Sequence, residues 1–186
     1  MEIKELNMKD VFAITLNPIK DERGFFMRTY DKKIFKEAGL NFNWVHENHS
    51  RTLKKGTIRG LHFQLPPYAE TKLIRCLRGK ILDVFVDLRK DSPTFGQWDS
   101  VELSEDNFKM ALVPRGFAHG FCTLADNCEV VYKVDNYYSP KHECGIIWND
   151  KNLKIEWDIE NPNLSEKDKK NMTLVNFIKD FKAIEL

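Results

Sequence analysis

The sequence predicts a mainly β protein, a barrel or sandwich of short strands with a short N-terminal helix and a C-terminal helical segment. Two observations carry that expectation. Short runs of alternating or apolar residues recur at regular spacing with Pro and Gly between them, the pattern of all-β architectures. Two of these runs, Arg59-Gly60-Leu61-His62-Phe63-Gln64 and Pro114-Arg115-Gly116-Phe117-Ala118-His119, each set one histidine among apolar residues and glycines, so two imidazoles are expected to meet inside the barrel. At 186 residues with 42% hydrophobic content, the chain suffices for one domain, residues 1–186, with a sizeable core.

Taken in order, Asp10 to Thr29 reads as short strands broken by Asn17-Pro18 and by the polar turn Asp21-Glu22-Arg23-Gly24. Lys32 to Ala38 reads as a helix closed by Gly39, with Ile34 and Phe35 spaced to pack inward. Thr71 to Arg78 alternates and stops at Gly79-Lys80, a turn expected to fold the chain back into Ile81–Leu88 as a hairpin with Lys72 and Asp83 on its two strands. In the second of those strands Leu82, Val84, Val86 and Leu88 share one face and leave Asp83, Phe85 and Asp87 on the other. If both faces are covered, Asp83 needs a cation. Further strands are expected at Asp99–Leu103, Lys109–Val113, Gly120–Leu124, Cys128–Val134 and Gly145–Trp148. Past Asn161-Pro162, Ser165 and Asp168 have capping-box spacing, and a C-terminal helix is expected from about Leu174, with Phe177, Ile178 and Phe181 on its packing face.

Charge excludes one class of function. Twenty-nine Lys plus Arg against 28 Asp plus Glu leave a formal net charge of +1, which argues against nucleic-acid or membrane binding by bulk electrostatics, so an anion must be met locally. Cys76, Cys122, Cys128 and Cys144 form no C-x-x-C pair and are read as reduced. The N-terminus shows no apolar leader and no stretch approaches the ~18 apolar residues of a membrane span, which predicts a cytoplasmic protein.

The spacing of the two histidine runs resembles the paired motifs of the cupin superfamily, which implies a jelly-roll barrel. The second motif is intact through His119. In the first, Gln64 stands where the second histidine of a metal-binding pair would be, and Lys72 stands where the carboxylate ligand would be. An ammonium offers no lone pair and repels a divalent cation, so Lys72 looks like a replacement for the metal and no metal or other cofactor is expected.

Longer blocks resemble one family specifically, the nucleotide-sugar 3,5-epimerases typified by dTDP-4-dehydrorhamnose 3,5-epimerase. These are DERGFF at Asp21–Phe26, ENHS at Glu47–Ser50, RGLHFQ at Arg59–Gln64, KLIRCLRG at Lys72–Gly79, DVFVDLRKDSPTFGQW at Asp83–Trp98, PRGFAHGF at Pro114–Phe121, EVVYKVDNYYSP at Glu129–Pro140, IIWND at Ile146–Asp150 and LSEKD at Leu164–Asp168. They run in family order over roughly nine-tenths of the chain, beyond what one short pattern could supply. The resemblance implies an isomerase that inverts carbons 3 and 5 of a 4-keto sugar on a nucleoside diphosphate, in the synthesis of surface polysaccharide precursors, as a homodimer.

That reaction needs a base, an acid and a group to hold enolate charge. His62 suits the base, because imidazole titrates near neutrality. By the resemblance Asp168 orients His62, Tyr132 returns a proton on the opposite face of the sugar, and Lys72 sits near the developing oxyanion with Asp83 holding it in place. The family pattern also assigns phosphate or sugar contacts to Arg23, Arg59, His119 and Lys167, puts Glu47, Asn48 and Glu143 in the pocket, and has Tyr138 stack on the base.

Two positions depart from the thymidine-diphosphate pattern: Arg28 replaces a glutamate and His46 a glutamine, both expected at the nucleoside end. Arginine suits the O6 and N7 edge of guanine, so a GDP-linked 4-keto-hexose or 4-keto-heptose, inverted at both carbons or at carbon 3 alone, is the alternative substrate. From other classes, a metal-dependent cupin with His62, His119 and Gln64 as ligands and a non-catalytic sugar-nucleotide binder stay open. So do bland roles: a structural Lys72–Asp83 pair, a barrel-core His119, a packing Tyr132 and a capping Asp168.

Overall fold

The computed structural model describes every residue from Met1 to Leu186. In chain order the elements are β1 (Glu2–Glu5), β2 (Phe12–Thr15), β3 (Ile19–Asp21), β4 (Gly24–Phe26), α1 (Lys32–Glu37), β5 (His46–Thr52), β6 (Ile58–Gln64), β7 (Lys72–Arg78) and β8 (Lys80–Asp87). There follow β9 (Trp98–Ser104), β10 (Lys109–Val113), β11 (Phe117–Thr123), β12 (Cys128–Val134), β13 (Glu143–Gly145) and α2 (Leu174–Phe181), with a 3₁₀ turn at Asp168–Lys170 before α2.

Six strands pair in the order β1-β2-β10-β7-β12-β5 and five in the order β13-β6-β11-β8-β9, while β3 and β4 form a separate hairpin. All strand pairs within the two large sheets are antiparallel. This is the jelly roll of the cupin type, mainly β with two short helices, as the sequence predicts.

Alternation along each strand divides its side chains between two cores. Ile74 and Cys76 of β7, Ile81 and Phe85 of β8, Phe121 of β11 and Val130 of β12 pack together between the sheets. The opposite residues of β8, Val84 and Val86 with Leu88 beyond, pack outward under Trp157, Leu174, Phe177 and Ile184 of the C-terminal segment. The outer face of the six-stranded sheet, through Leu73, Met110 and Leu112, is covered by Phe35 of α1 and Leu40. With both faces covered, every polar side chain on these strands must find a partner or a cavity.

Local signals placed several elements closely. The β10 and β12 strands match their predicted bounds, and α1 is capped at its N-terminus by Asp31, whose side chain accepts from the amides of Lys33 and Ile34. Ile34, expected to pack inward, is exposed, because in a helix of six residues only one face reaches the sheet and Phe35 takes it. On α2, Thr173 caps the first turn and Phe177 is fully buried, whereas Ile178 and Phe181 stay partly exposed. The last predicted strand, Gly145–Trp148, is replaced by Glu143–Gly145 pairing with β6.

The expected Lys72–Asp83 hairpin does not form. β7 and β8 lie in different sheets, so Gly79 carries the chain across the barrel rather than folding it back beside itself. Alternation and a glycine turn identify two strands with a reversal between them, but they do not say whether the strands pair.

Asp87, which has no solvent exposure, anchors the loop after β8. It accepts hydrogen bonds from the Arg89 amide at 3.0 Å, Arg89 Nη2 at 2.9 Å, Ser92 Oγ at 2.6 Å and Thr94 Oγ1 at 2.7 Å. Burial pushes its pKa up, but the bonds from Arg89, Ser92 and Thr94 outweigh this and hold it below the ordinary 3.8. Its stabilisation is therefore complete above that ordinary value and is lost as pH falls through the lower folded one. Asp87→Ala is expected to cost about 3 kcal/mol at pH 7 in urea unfolding, with the deficit shrinking in acid; an unchanged midpoint would refute the anchoring role.

Candidate active site

The candidate cleft begins with an irregularity in β6. His119 pairs with His62 and Phe121 with Arg59, so Gly60 and Leu61 on β6 oppose only Gly120 on β11. This bulge resets the alternation: Ile58, Leu61 and Phe63 point outward into the core beneath the C-terminal segment, while Arg59 and His62, three residues apart, both line the cleft. Glycine is required on both strands. Gly60 has φ +138°, and a Cβ there would lie 2.5 Å from Gly120 Cα, while one on Gly120 would lie 2.6 Å from the Arg59 carbonyl oxygen.

Ordinary alternation supplies the rest. Lys72 precedes Ile74 and Cys76 on the inner face of β7, Tyr132 follows Val130 on β12, and His46, Asn48 and Ser50 share the inner face of β5. Together they line two lobes of about 290 Å³ and 380 Å³ that share His62, Lys72 and Tyr132. The first lobe adds Arg59, His119, Lys167 and Asp168; the second adds His46, Asn48, Glu70, Tyr138 and Glu143.

His62 Nε2 lies 2.6 Å from Asp168 Oδ1. Burial pushes the Asp168 pKa up, but the hydrogen bond and charge of His62, a bond with Ser165 and the nearby Lys167 bring it below its ordinary value. An ionised Asp168 requires a proton on Nε2, which leaves the lone pair of the neutral ring on Nδ1. Asp168 itself is placed by the 3₁₀ turn, its amide donating to Ser165 Oγ at 3.0 Å. The capping-box spacing read in the sequence thus positions the carboxylate rather than starting the long helix.

Tyr132 is pushed above the ordinary phenol pKa, first by burial and then by the charges of Glu70 and Glu143, with Arg59 opposing. It is a phenol, and so a proton donor, at neutral pH. At the mouth of the second lobe Glu143 accepts from Tyr138 Oη at 2.6 Å and pairs with Lys167. Those partners outweigh burial and keep the Glu143 carboxyl below its ordinary range.

Four assignments change. Asp83 does not hold Lys72: its side chain is fully buried and Oδ1 lies 2.9 Å from His119 Nε2, because β8 and β11 are neighbours in one sheet while Lys72 sits in the other. Lys72 Nζ instead lies 3.3 Å from Glu70 Oε1, a residue the sequence reading passed over. Glu47 points away from the cleft and pairs with Lys133 at 2.6 Å, since it alternates with the inward His46 and Asn48. Arg23 and Arg28 do not line the cleft of their own chain; they pair with Asp21 and Asp31 near the β3–β4 hairpin. Glu70 left one legible signal, its position two residues before Lys72, but the intervening chain is a loop and periodicity says nothing there.

The donor set does not fit the divalent cation that many barrels of this type carry. Gln64 is spent on structure, donating through Nε2 to Glu70 Oε2 and the Tyr68 and Tyr137 carbonyls and accepting from the Ser139 amide through Oε1. Lys72 places an ammonium where an anionic ligand would stand.

Fold and cleft together define a barrel enzyme of proton transfer, with an imidazole–carboxylate dyad and a phenol opening on one cavity. The sequence profile of the family described as dTDP-4-dehydrorhamnose 3,5-epimerase matches residues 5–176. A dTDP-4-dehydrorhamnose 3,5-epimerase of Shigella flexneri is 49% identical over 169 residues, 90% of this chain and 93% of that one. Among solved structures, the dTDP-4-dehydrorhamnose 3,5-epimerase of Bacillus anthracis with TDP and pyrophosphate bound superposes with a TM-score of 0.91 at 49% identity, covering 93% of this chain and 99% of that one. The epimerase of Legionella pneumophila in complex with dTDP-4-keto-L-rhamnose does so with 0.92 at 36% identity, covering 100% and 98%. The chain belongs to the dTDP-4-dehydrorhamnose 3,5-epimerase family, isomerases of the epimerase class.

Proposed function

We propose that this protein inverts carbons 3 and 5 of a dTDP-linked 4-keto-6-deoxyhexose. The observation that carries the reading is that His62, Lys72 and Tyr132 line one cavity. His62 Nδ1 takes the proton from the carbon beside the ketone, the electron pair moves onto the keto oxygen as an enolate, and the Lys72 ammonium stabilises that charge. Tyr132 Oη then delivers a proton to the opposite face of the same carbon; His62 gives its proton up to solvent, the Tyr132 phenolate takes one from solvent, and the sequence repeats at the second carbon. Asp168 stabilises the imidazolium formed in each cycle. Arg59 in the first lobe and Lys167 at the mouth supply local positive charge for the diphosphate, His119 lines the first lobe beside them, and Tyr138, half exposed at the rim, offers a ring face to the base.

Incubation with 4-keto sugars on dTDP and on GDP in D₂O, followed by NMR, tests this. Deuterium is expected at carbons 3 and 5 of the dTDP sugar. Label at carbon 3 alone would make the protein a 3-epimerase, reaction of the GDP sugar alone would overturn the nucleotide, and no label from either would make it a binder. His46 lines the second lobe, whereas Arg28, whose guanidinium carries the case for guanine, pairs with Asp31 outside the cleft of its own chain.

The working form we propose is a cytoplasmic homodimer. No helix is long and apolar enough to cross a membrane. The β3–β4 hairpin exposes the cross-strand partners Ile19 and Phe26 at 71 and 68%, an apolar pair that a second copy would cover. A solution mass twice the 21.9 kDa of one chain is expected, and a monomer at micromolar concentration would refute it.

A further inference from the structure

We propose that Glu70 is a positioning residue for this reaction, aiming the Lys72 ammonium into the cleft and setting a fixed negative charge beside Tyr132. The inference rests on the roles given above to Lys72 and Tyr132.

Glu70 is held at both oxygens. Oε1 lies 3.3 Å from Lys72 Nζ, and Oε2 accepts from Gln64 Nε2 at 2.9 Å. Gln64 is in turn fixed by the Tyr68 and Tyr137 carbonyls and the Ser139 amide. The loop that carries Glu70 is tied to the bend just after β12: Asn136 donates to the Pro67 and Ala69 carbonyls, and the Thr71 amide donates to Asp135. The carboxylate is therefore a rigid fixture, with its side chain only 13% exposed.

The remaining carboxylates around the cleft have other partners: Asp168 bonds His62, Asp83 bonds His119, and Glu143 bonds Lys167 and Tyr138. Lys72 thus has Glu70 as its carboxylate. A lysine carries a compact charge on a flexible four-carbon stem, and stabilising an enolate demands that this charge be in place before the charge develops. A partner fixed from behind meets that demand, at the cost of offsetting part of the positive field.

The same charge reaches Tyr132. Charged and titratable groups facing this phenol are Lys72 from β7, His46 from β5, Arg59 and His62 from β6, His119 from β11, Tyr138 from the loop before β13, Glu143 from β13, Lys167 just before the 3₁₀ turn, Asp168 from it, and Glu70 itself. Next to burial, Glu70 is the largest influence opposing ionisation of the phenol. It thereby keeps the proton that Tyr132 must deliver.

Glu70→Gln and Glu70→Asp separate aim from charge. For Glu70→Gln we expect kcat lower by about 10-fold or more, KM within about threefold, and the alkaline limb of the kcat profile moved to lower pH. Glu70→Asp keeps the charge but shortens the reach, so kcat falls while the alkaline limb stays at its wild-type position. A Glu70→Gln protein with wild-type kcat and profile overturns the proposal. So does one whose kcat falls with a lowered melting temperature and an unmoved limb, since Glu70 would then serve only the loop. Failure of the wild-type protein to exchange protons with D₂O would instead overturn the underlying reaction.

Discussion

His62→Ala is expected to abolish deuterium wash-in at both carbons and to lower kcat by about 10²- to 10⁴-fold, the range for loss of a positioned general base. The argument is geometric. Nε2 is committed to Asp168 at 2.6 Å, so the ring presents its basic nitrogen to the cavity in one orientation and one tautomer. Arg59 is cationic, and the His119 side chain, bonded to the buried Asp83, is 9% exposed against 30% for His62, so His62 is the imidazole that opens onto the substrate space. Folding should survive, because the imidazole is partly exposed and its loss opens onto a cavity that already exists. If the variant exchanges at the wild-type rate, the base has been misassigned.

Tyr132→Phe should separate two events that occur together in the parent protein. With His62 intact, proton removal and its reversal continue, so deuterium still enters from the His62 side. Inversion needs a proton from the other face and should fall by about 10²- to 10⁴-fold. At neutral pH even an ordinary phenol holds its proton, and burial, Glu70 and Glu143 raise the Tyr132 pKa further, extending the donor form to higher pH. The measurement is the ratio of exchange to inversion by NMR in D₂O. Equal losses in both would mean that Tyr132 contributes to binding or to proton removal rather than to delivery on the second face.

Much of this site was legible without coordinates. The motifs single out His62, Lys72, Tyr132 and Asp168, and these four side chains share one cavity. Strands β10 and β12 were placed to the residue because their ends coincide with turn chemistry. Where the structure departs from the reading, each departure has its own cause. It paired Lys72 with Asp83 because the two follow each other in sequence across a glycine turn, yet that turn carries the chain from one sheet to the other. It put Glu47 in the pocket with its neighbour Asn48, although consecutive strand residues face opposite ways. Arg23 and Arg28 came with their motif, and no property of a single chain brings them to its own cleft.

Local order along the chain, meaning periodicity and turn residues, determined by itself that this is an all-β barrel or sandwich, and the resemblance of its two histidine runs to paired cupin motifs added the jelly roll with an imidazole and a lysine where a metal site would stand. Only the folded barrel decided which carboxylate serves which cation: Asp83 for His119 within one sheet, and Glu70 for Lys72 on the wall of the cleft. The reason is the range of the forces involved. Backbone propensity acts over a few residues and leaves a trace in the sequence, whereas a charge pairs with whatever lies within about 4 Å, and that neighbour is set by how two sheets stack and where a bulge resets a strand.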